Sequence, residues 1–305
     1  MKRKLMIILG PTAVGKTDYS IEAALRYDSP VISCDSRQIY REMSIGTAVP
    51  TRDQLAAVQH YFIHSHTVAE LYTAGKYEIE ALELIGRLFE EGHETLVMAG
   101  GSGFYVDALV NGLDDFPQAD LQLRNDLTDR LKAEGVESLR QELRRLDPES
   151  YATIDIANGQ RVVRALEVCL MTGRPFSSFK TSPRRKRDFE IEKIGLMRPR
   201  DVLYDRINRR VLRMIDEGLV EEVRSLVRYR NLAALRTVGY KEIFDWFDYQ
   251  DGLVSTDGWG PAVPGDGPVT TLERAIELIQ RNTRHYAKRQ MSYWGRDKDI
   301  RWIEL

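Results

Sequence analysis

The chain has 305 residues, 43% of them hydrophobic, and a formal net charge of −2 at pH 7. This length allows a full core in one large domain or two unequal ones, and the small net charge leaves only local basic clusters to bind a nucleic acid. The two cysteines, Cys34 and Cys169, exclude a disulfide framework and a CxxC metal site, so we expect a reducing, cytoplasmic setting. No stretch reaches the roughly 18 apolar residues of a membrane span, and the apolar start is too short for a targeting segment.

The first predicted element is a buried strand, Lys4 to Leu9, which runs into a glycine-rich loop and a helix from Asp18 to Tyr27. The loop matches G-x-x-x-x-G-K-[ST], whose backbone N–H groups surround a phosphate while the lysine adds charge and the last hydroxyl can bind Mg²⁺. The predicted phosphate loop consists of Gly10, Pro11, Thr12, Ala13, Val14, Gly15, Lys16 and Thr17. It predicts a phosphate site and leaves the chemistry open; the alternative is a simple Gly-rich turn.

Two further predicted strands, "SPVISC" and "HETLVMA", alternate with amphipathic helical patterns. That alternation predicts an α/β fold, a parallel sheet flanked by helices. Residues 114–187 carry charged helical patterns and no strand signal, which predicts an inserted all-helical subdomain. The predicted domains are therefore a P-loop core, 1–113 and 188–305, and a helical insertion, 114–187.

After the insertion, the apolar stretch 189–197 predicts a return to the sheet. One long helix is predicted through 205–227, and a last helix from about Thr271 to Trp294. Residues 251–270 are rich in Gly, Pro and Asp and are predicted to form an irregular loop. The basic segment 180–187 is either a solvated hinge or an extension of a nucleic-acid surface.

An acidic residue follows the second predicted strand and not the third. P-loop ATPases and GTPases hold Mg²⁺ with an Asp at the tip of a second core strand, but "ETLVMA" is followed here by "GGSGFY". Asp35, in "SCDSRQIY", instead lies at the carboxyl edge of the predicted sheet, where ligands of such folds bind. A helix N-cap or turn is the alternative role for Asp35. Its neighbours Ser36 and Gln38 are suited to hydrogen bonds with a base edge.

Several motifs occur in order along almost the whole chain: "GPTAVGKT", "DSRQIY" with "IGTAVP", "GGSGFYVDAL", "NGQRVVRALEVCLMTGRP" and "RTVGYKE". Together they resemble the tRNA dimethylallyltransferase family, also called isopentenyl-tRNA transferases. The resemblance implies a P-loop kinase-like core and transfer of a dimethylallyl group from dimethylallyl diphosphate to the exocyclic amine of the adenosine beside the anticodon. It implies tRNA as the partner, tRNAs that read codons beginning with U as substrates, and Mg²⁺ as the cofactor; we expect a monomer.

Within this resemblance the phosphate loop holds the leaving diphosphate, and Lys16 and Thr17 count as catalytic. Asp35 would orient the amine and accept its proton, or share the metal with Thr17. Arg210 matches a family arginine that reaches the diphosphate; Arg206 shares its helical face, and the alternative for both is a solvated charged face. The positions that match the family's tRNA contacts are Asp35, Ser36, Arg37, Gln38, Ser102, Arg124, Gln160, Arg161, Val162, Val163, Arg164, Arg236, Thr237, Val238, Gly239, Tyr240 and Lys241.

Two positions depart from the family pattern. Ser102 stands where Thr is usual and keeps the hydroxyl, whereas Tyr293 takes a position that is usually Trp, which leaves the contacts beyond the K-R-Q motif open. The segment "QHYFIHSH" also invites a metal hypothesis for His60, His64 and His66. Because no Cys or carboxylate partner lies nearby in the sequence, we predict structural roles for these histidines.

Three other functions fit parts of the sequence. A prenyltransferase acting on free AMP or ATP shares the chemistry but needs neither the helical insertion nor "RTVGYK". A P-loop small-molecule kinase shares the phosphate loop, but the acidic strand tip is missing here and the tRNA-type motifs are present. A nucleotide-gated RNA-binding module without catalysis is disfavoured by Asp35 beside an intact phosphate loop.

Overall fold

The computed structural model divides into two compact units. One, here called the sheet unit, comprises Met1–Val110 and Lys186–Leu305; the other, here called the helical unit, comprises Asn111–Arg185. Among the described residues, no helix combines the length and the apolar character that crossing a membrane requires. The residues that the structure describes are 3–114, 116–181, 185–252 and 267–305.

A single parallel sheet organises the sheet unit. Its strands among the described residues are β1 (Lys4–Leu9), β2 (Val31–Ser33), β3 (His60–Tyr61), β4 (Thr95–Ala99), β5 (Glu190–Met197) and β6 (Ile300–Glu304). They lie in the order β3-β2-β4-β1-β5-β6, and every neighbouring pair is parallel. The predicted α/β fold with a parallel sheet is therefore confirmed.

Strand β1 lies inside the sheet because its residues are apolar on both faces. Leu5 to Leu9 are each at most 5% exposed, as expected for a parallel strand covered by helices on both sides. Ile8 is in register with Ala99 of β4 and with Ile194 of β5. The carboxyl ends of these three strands thus meet at one edge of the sheet, where the segments that follow them begin.

The helices flank this sheet or form the helical unit. In chain order they are α1 (Lys16–Tyr27), α2 (Arg52–Ala57), α3 (Ala74–Glu90), α4 (Gly103–Asn111), α5 (Leu121–Glu134), α6 (Val136–Leu146), α7 (Pro148–Thr153), α8 (Gly159–Thr172), α9 (Arg200–Asp216), α10 (Leu219–Ser225), α11 (Lys241–Gln250) and α12 (Leu272–Trp294). Helix α12 begins after Thr271, whose side chain accepts a hydrogen bond from the backbone N–H of Arg274 at 3.1 Å.

The helical unit has its own apolar core. Helices α5, α6 and α8 pack around Leu127, Leu139, Leu143 and Leu166, each at most 2% exposed. A buried core of this kind supports a compact unit. The compact helical unit covers 111–185, whereas the sequence-based insertion covers 114–187.

Two features differ from the sequence-based expectations. The single long helix through 205–227 is wrong: the chain breaks between α9 and α10 at Gly218, whose φ of +99° is left-handed and ends a helix. Strands β3 and β6 were not predicted; β3 has only two residues, and β6 lies at the sheet edge after a long helix. Most of the predicted loop 251–270, namely 253–266, lies outside the described residues, as do residues 182–184 of the basic segment.

Candidate active site

The phosphate loop follows β1 and depends on glycine at its first position. Gly10 has a φ of +143°, and a Cβ there would lie 2.6 Å from the carbonyl oxygen of Leu196 in β5. Gly15, with a φ of +116°, ends the loop at the N-cap of α1, and no side chain caps this helix. The loop thus presents the uncapped N-terminus of α1, which favours an anion.

Some backbone N–H groups of the phosphate loop donate hydrogen bonds within the protein, and others have no acceptor there. Thr12 N–H donates to Gln290 Oε1 at 2.8 Å, and Val14 N–H donates to the carbonyl oxygen of Pro11 at 3.3 Å. The N–H groups of the residues from Gly15 to Thr17 donate to no group within the described ranges. The expectation that the loop's N–H groups all face an anion is therefore wrong for Thr12 and Val14, and the unused donors lie at the start of α1.

Two partly buried cations lie against the loop. Lys16 Nζ donates to the carbonyl oxygens of Gly10 and Pro11, each at 2.9 Å, and an Arg210 guanidinium N–H donates to Thr12 Oγ1. Burial lowers the pKa of Lys16 to about 8, and the negative charge of Asp35 opposes that shift. Burial likewise lowers the pKa of Arg210 to about 10, again opposed by Asp35. An anion between Lys16 and Arg210 would relieve this electrostatic cost.

Two further arginines donate hydrogen bonds to backbone carbonyl oxygens of the phosphate loop. Arg206 Nε donates to the carbonyl oxygen of Ala13 at 2.8 Å, and Arg198 Nε donates to that of Val14 at 2.8 Å. Arg206 therefore does not belong only to a solvated charged face. It bonds to the backbone of the phosphate loop, whereas Arg210 bonds to the Thr12 side chain. Sequence reasoning did not single out Arg198; its position directly after β5 is the signal that could have identified it.

Asp35 organises the turn that follows β2. Its Oδ1 accepts hydrogen bonds from the backbone N–H groups of Arg37 at 2.9 Å and Gln38 at 3.4 Å, so the turn role left open by the sequence is present. Its Oδ2 accepts no hydrogen bond from any residue that the structure describes, and it lies 3.8 Å from where a Cβ on Gly101 would be. One carboxylate oxygen thus shapes the backbone while the other is available for a ligand.

Ser102 connects the segment after β4 to the turn after β2. The Ser102 hydroxyl accepts from the Ser36 backbone N–H at 2.9 Å and donates to Ser36 Oγ at 3.0 Å. Gln38 Nε2 donates to the carbonyl oxygens of Thr47 and Ala48 at 3.1 and 2.9 Å. The amide N–H₂ of Gln38 is therefore engaged in holding the loop that contains "IGTAVP".

Gln290 is a second residue of this site, after Arg198, that sequence reasoning missed. It is 7% exposed, its Oε1 accepts from Thr12, and its Nε2 donates to the carbonyl oxygen of Gly101 at 2.9 Å. A polar residue on the buried face of α12, aligned with Ala287 and Trp294, is the signal that could have identified it. The side chain joins the phosphate loop to the segment after β4.

The segment 236–241 packs against "IGTAVP" through Tyr240. Tyr240 is fully buried, its hydroxyl donates to Glu222 Oε1, and a Cβ on Gly46 would lie 2.5 Å from its ring. Glu222 also accepts from three backbone N–H groups, those of residues 44, 45 and 46, at 2.8 to 3.0 Å. The Tyr240 side chain is thus a core side chain here, and the contact of this residue with tRNA stays a prediction. Arg236 is exposed. Thr237, Val238 and Lys241 are partly exposed, and Gly239 is buried.

In the helical unit, two of the predicted RNA-contacting arginines hold a buried carboxylate. Glu167 is fully buried; Arg124 lies 2.8 Å and Arg164 2.9 Å from its oxygens. Val162 and Val163 are 0% and 2% exposed, so both side chains belong to the core, and the contact of these residues with tRNA stays a prediction. Gln160 and Arg161 are exposed on the first turn of α8.

The donors available to a metal ion near the loop are oxygens. Thr17 Oγ1 has no hydrogen-bond partner in the described part of the chain, and neither has Asp35 Oδ2. Hydroxyl and carboxylate oxygens fit a hard cation such as Mg²⁺. Among the described residues, no group of three His, Cys, Asp or Glu side chains could hold a metal ion. The three histidines have separate partners: His60 the carbonyl of Val58, His64 the hydroxyl of Ser44, and His66 the carboxylate of Glu80.

Sequence comparisons connect this arrangement to known proteins. A family model described as IPP transferase matches residues 38–297. "tRNA dimethylallyltransferase 1" of Bacteroides thetaiotaomicron is 45% identical over 299 residues, which cover 98% of this chain and 91% of that protein. "tRNA dimethylallyltransferase" of Christiangramia forsetii is 44% identical over 305 residues, 100% of this chain and 94% of that protein.

A solved structure shows the same fold over nearly the whole chain. The full-length tRNA isopentenylpyrophosphate transferase of Bacillus halodurans aligns with a TM-score of 0.67 and 36% identity, covering 99% of this chain and 90% of that one. The similarity therefore extends through both the sheet unit and the helical unit, each of which lies inside the aligned length.

Proposed function

This chain belongs to the IPP transferase family, and on that basis we propose that it transfers a dimethylallyl group from dimethylallyl diphosphate to the exocyclic amine of the adenosine 3′-adjacent to the anticodon in tRNA. The substrates would be tRNAs that read codons beginning with U. The curated relatives carry the name tRNA dimethylallyltransferase, which supports this reaction class.

One observation carries the proposal: a negative and two positive side chains share the centre formed by the ends of β1 and β2. The charge of Asp35 acts on both Lys16 and Arg210, while these cations lie against the phosphate loop. A departing diphosphate needs cations and N–H donors, and an attacking amine needs a nearby proton acceptor. Both requirements can be met within this one centre.

The reaction is a substitution at the allylic carbon. The amine nitrogen forms a bond to that carbon, the bond from carbon to the diphosphate oxygen breaks with its electron pair, and the amine loses one proton. Lys16, Arg210 and the unused N–H groups from Gly15 to Thr17 would stabilise the charge that develops on the leaving oxygens. Because the allylic cation is delocalised, holding the two substrates in line supplies much of the remaining acceleration.

Asp35 is the proposed proton acceptor. Its Oδ1 is held by the backbone N–H groups of Arg37 and Gln38, which fixes the carboxylate, and its Oδ2 remains for the amine. General-base assistance of this kind contributes about 10² to 10⁴ in rate. Mg²⁺, held by Thr17 with or without Asp35, would neutralise diphosphate charge when bound.

We propose that tRNA contacts those residues at the family's tRNA-binding positions that are exposed or partly exposed. Ser36, Arg37 and Ser102 lie at the acceptor side of the centre, while Gln160, Arg161, Arg236 and Lys241 offer solvent-accessible polar groups. Arginine pairs phosphates and stacks on unpaired bases, which suits the loop of an RNA hairpin.

A direct transfer assay tests the proposed function. The purified protein receives labelled dimethylallyl diphosphate with Mg²⁺ and either unmodified tRNA, AMP or ATP as the acceptor. We expect label in tRNA, at the adenosine beside the anticodon. Label only in AMP or ATP would assign the chain to the enzymes that prenylate free nucleotides, and transfer to none of the acceptors would contradict a prenyltransferase.

Two substitutions of Asp35 separate its catalytic role from its turn role. Asp35→Asn keeps an oxygen for the Arg37 N–H but removes the base, whereas Asp35→Ala removes both. We expect both variants to lose about 10²-fold or more in kcat, and only Asp35→Ala to lose about 1 kcal/mol of stability. The checks are transfer rates and urea denaturation; near-normal turnover of Asp35→Asn would remove Asp35 from the mechanism.

A further inference from the structure

Glu222 of α10 is not among the residues proposed to contact either substrate, yet its carboxylate accepts hydrogen bonds from four donors. Its Oε2 accepts from the backbone N–H groups of Ser44 at 3.0 Å and Ile45 at 2.8 Å. Its Oε1 accepts from the Gly46 N–H at 3.0 Å and from the Tyr240 hydroxyl. Hydrogen bonds to an ionised acceptor are the strong ones, so three consecutive N–H groups on one carboxylate fix this stretch of backbone.

The backbone that Glu222 holds is a compact turn, residues 44–49, called the 44–49 turn below. Ala48 N–H donates to the carbonyl oxygen of Ile45 at 3.0 Å, and Val49 N–H donates to that of Ser44 at 3.1 Å. Ala48 has a φ of +53°, a left-handed conformation that alanine keeps only where the surrounding contacts enforce it. Because these bonds connect residues within the turn, a force on its N–H groups is transmitted to its other end.

The other end of the 44–49 turn binds the Gln38 side chain. Gln38 Nε2 donates to the carbonyl oxygens of Thr47 at 3.1 Å and Ala48 at 2.9 Å. Both hydrogens of the amide group are used in this way, which fixes the plane of the amide. Since Glu222 bonds to the N–H groups and Gln38 to the carbonyl oxygens, the turn connects the two side chains.

Gln38 belongs to the segment that fixes the proposed proton acceptor. Its backbone N–H and that of Arg37 donate to Asp35 Oδ1, at 3.4 and 2.9 Å. A second connection runs through His64, whose backbone N–H donates to the Gln38 carbonyl at 3.0 Å and whose ring shares a hydrogen bond with the Ser44 hydroxyl at 3.1 Å. A displacement of the 44–49 turn would therefore move the segment that carries Asp35.

We propose that Glu222 is a positioning residue for the acceptor side of the reaction, an inference that rests on the proposed function. It acts through the 44–49 turn and the Gln38 amide on the segment around Asp35. Without the carboxylate, three backbone N–H groups lose their acceptor and the turn loses its attachment to α10. The phosphate loop is held by other side chains, those of α9 and α12, so it should keep its geometry.

Transfer kinetics of Glu222→Gln test this role. Glutamine keeps one acceptor oxygen, and its N–H₂ group would face N–H or O–H donors, so bonds to the turn are lost. Because a shift of about 1 Å between reacting groups costs about 100-fold, kcat for transfer to tRNA should fall about 10- to 100-fold. KM for dimethylallyl diphosphate should stay unchanged. The milder variant Glu222→Asp keeps the charge on a shorter side chain and should show a smaller loss of the same kind.

Glu42→Gln is the matched control. The Glu42 carboxylate likewise accepts from a hydroxyl and a backbone N–H, those of Thr67 and Val68. Both donors lie between β3 and α3, outside the 44–49 turn. This variant should lower the urea midpoint of unfolding but keep its kcat. If kcat fell equally in Glu42→Gln and Glu222→Gln, the loss would follow from general destabilisation and the positioning role would be overturned.

A double-mutant cycle with Gln38→Leu tests the route from Glu222 to the centre. Leucine is similar in size to glutamine but cannot donate to the carbonyl oxygens of the 44–49 turn. Since residues in one hydrogen-bond network have non-additive effects, the loss of kcat caused by Glu222→Gln should be about fivefold smaller in the Gln38→Leu background. An equal loss in both backgrounds would show that the two side chains act independently and would overturn the proposed route.

Amide hydrogen exchange separates this role from the proposed function. In Glu222→Gln, exchange should become faster in 35–40 as well as in 44–49, whereas Glu42→Gln should keep the protection of 35–40. Unchanged exchange in 35–40 would overturn the positioning role even where transfer to tRNA is observed. If the wild type transfers no label to tRNA, the proposed function fails, and the exchange comparison still decides whether Glu222 holds the segment around Asp35.

Discussion

At the scale of single residues, Gln290 connects the two halves of the candidate site. Its amide oxygen fixes Thr12 in the phosphate loop and its amide nitrogen fixes Gly101 in the segment that carries Ser102. The leaving group would lie on the first segment and the acceptor on the second. In the proposed reaction, a buried amide with both ends bonded would therefore set the spacing between the two substrates.

Replacing Gln290 by Met, which is similar in size, should slow the reaction more than it destabilises the fold. The change removes both hydrogen bonds and leaves the Thr12 N–H unpaired, which costs about 1 to 3 kcal/mol of stability. A shift of about 1 Å between reacting groups costs about 100-fold, so we expect kcat for transfer to tRNA to fall about 10- to 100-fold. Transfer kinetics and thermal melting measure the two effects.

Thr283→Val is the matched control for Gln290→Met. Thr283 is buried on the same face of α12, but within the described ranges its hydroxyl bonds only to the carbonyl oxygen of Ile279 in its own helix. This variant should keep its kcat. If the two variants lost stability equally and kept equal kcat values, Gln290 would have a structural role only.

At the scale of elements, the helices α5 and α8 are joined by a buried ion cluster. Glu167 of α8 is fully buried. It accepts hydrogen bonds from Arg124 of α5 and from the backbone N–H of Asp120 at 3.1 Å, and it forms an ion pair with Arg164, one turn earlier. A buried carboxylate is tolerated only when it is paired and hydrogen-bonded. The two arginines serve this pairing, although each remains about one-third exposed.

Glu167→Ala should destabilise the helical unit by about 2 kcal/mol, below the range for fully buried pairs because the arginines are partly solvated. Urea denaturation measures the loss. The control is Glu142→Ala, which removes a more exposed ion pair with Arg130 at 3.0 Å and should cost less than about 1 kcal/mol. Equal losses in the two variants would show that the Glu167 cluster adds nothing beyond a surface pair.

At the scale of the whole molecule, the sheet unit depends on contacts between segments far apart in the chain. The Glu222 carboxylate accepts hydrogen bonds from the backbone N–H groups of residues 44–46 and from the hydroxyl of Tyr240. Four donors on one carboxylate hold the loop after β2 against the start of α11. The close approach of Gly46 to the Tyr240 ring results from this arrangement.

Gly46→Ala should therefore destabilise the sheet unit by about 1 to 3 kcal/mol, because a methyl group 2.5 Å from a fixed, buried ring forces a shift. The opposite result is expected for Gly86→Ala in α3, where a Cβ meets no atom within 4 Å. That change should stabilise by about 0.5 to 1 kcal/mol, as helix propensity predicts. Denaturation of both variants tests the pair; a neutral Gly46→Ala would show that the ring can move.

Local chemistry explains what the sequence determined by itself. The strand β1, the phosphate loop and the last helix from Leu272 to Trp294 follow from apolar patterning, glycine spacing and a Thr cap, all of which act within a few residues. The family followed from motifs in chain order, and the comparisons confirm it. The helix break at Gly218 also depends on local sequence. It was not predicted because the charged residues on both sides of Gly218 have helical spacing.

Only the tertiary structure decided which hydrogen-bond donors and charged side chains are paired within the protein, and with which partners. No sequence spacing shows that Thr12 N–H is taken by Gln290, 278 residues away, or that Arg124 and Arg164 serve Glu167. Nor does it show that Tyr240 is buried beneath Gly46. Hydrogen bonds and burial depend on distance in space, and packing sets that distance between segments whose separation along the chain carries no information about it.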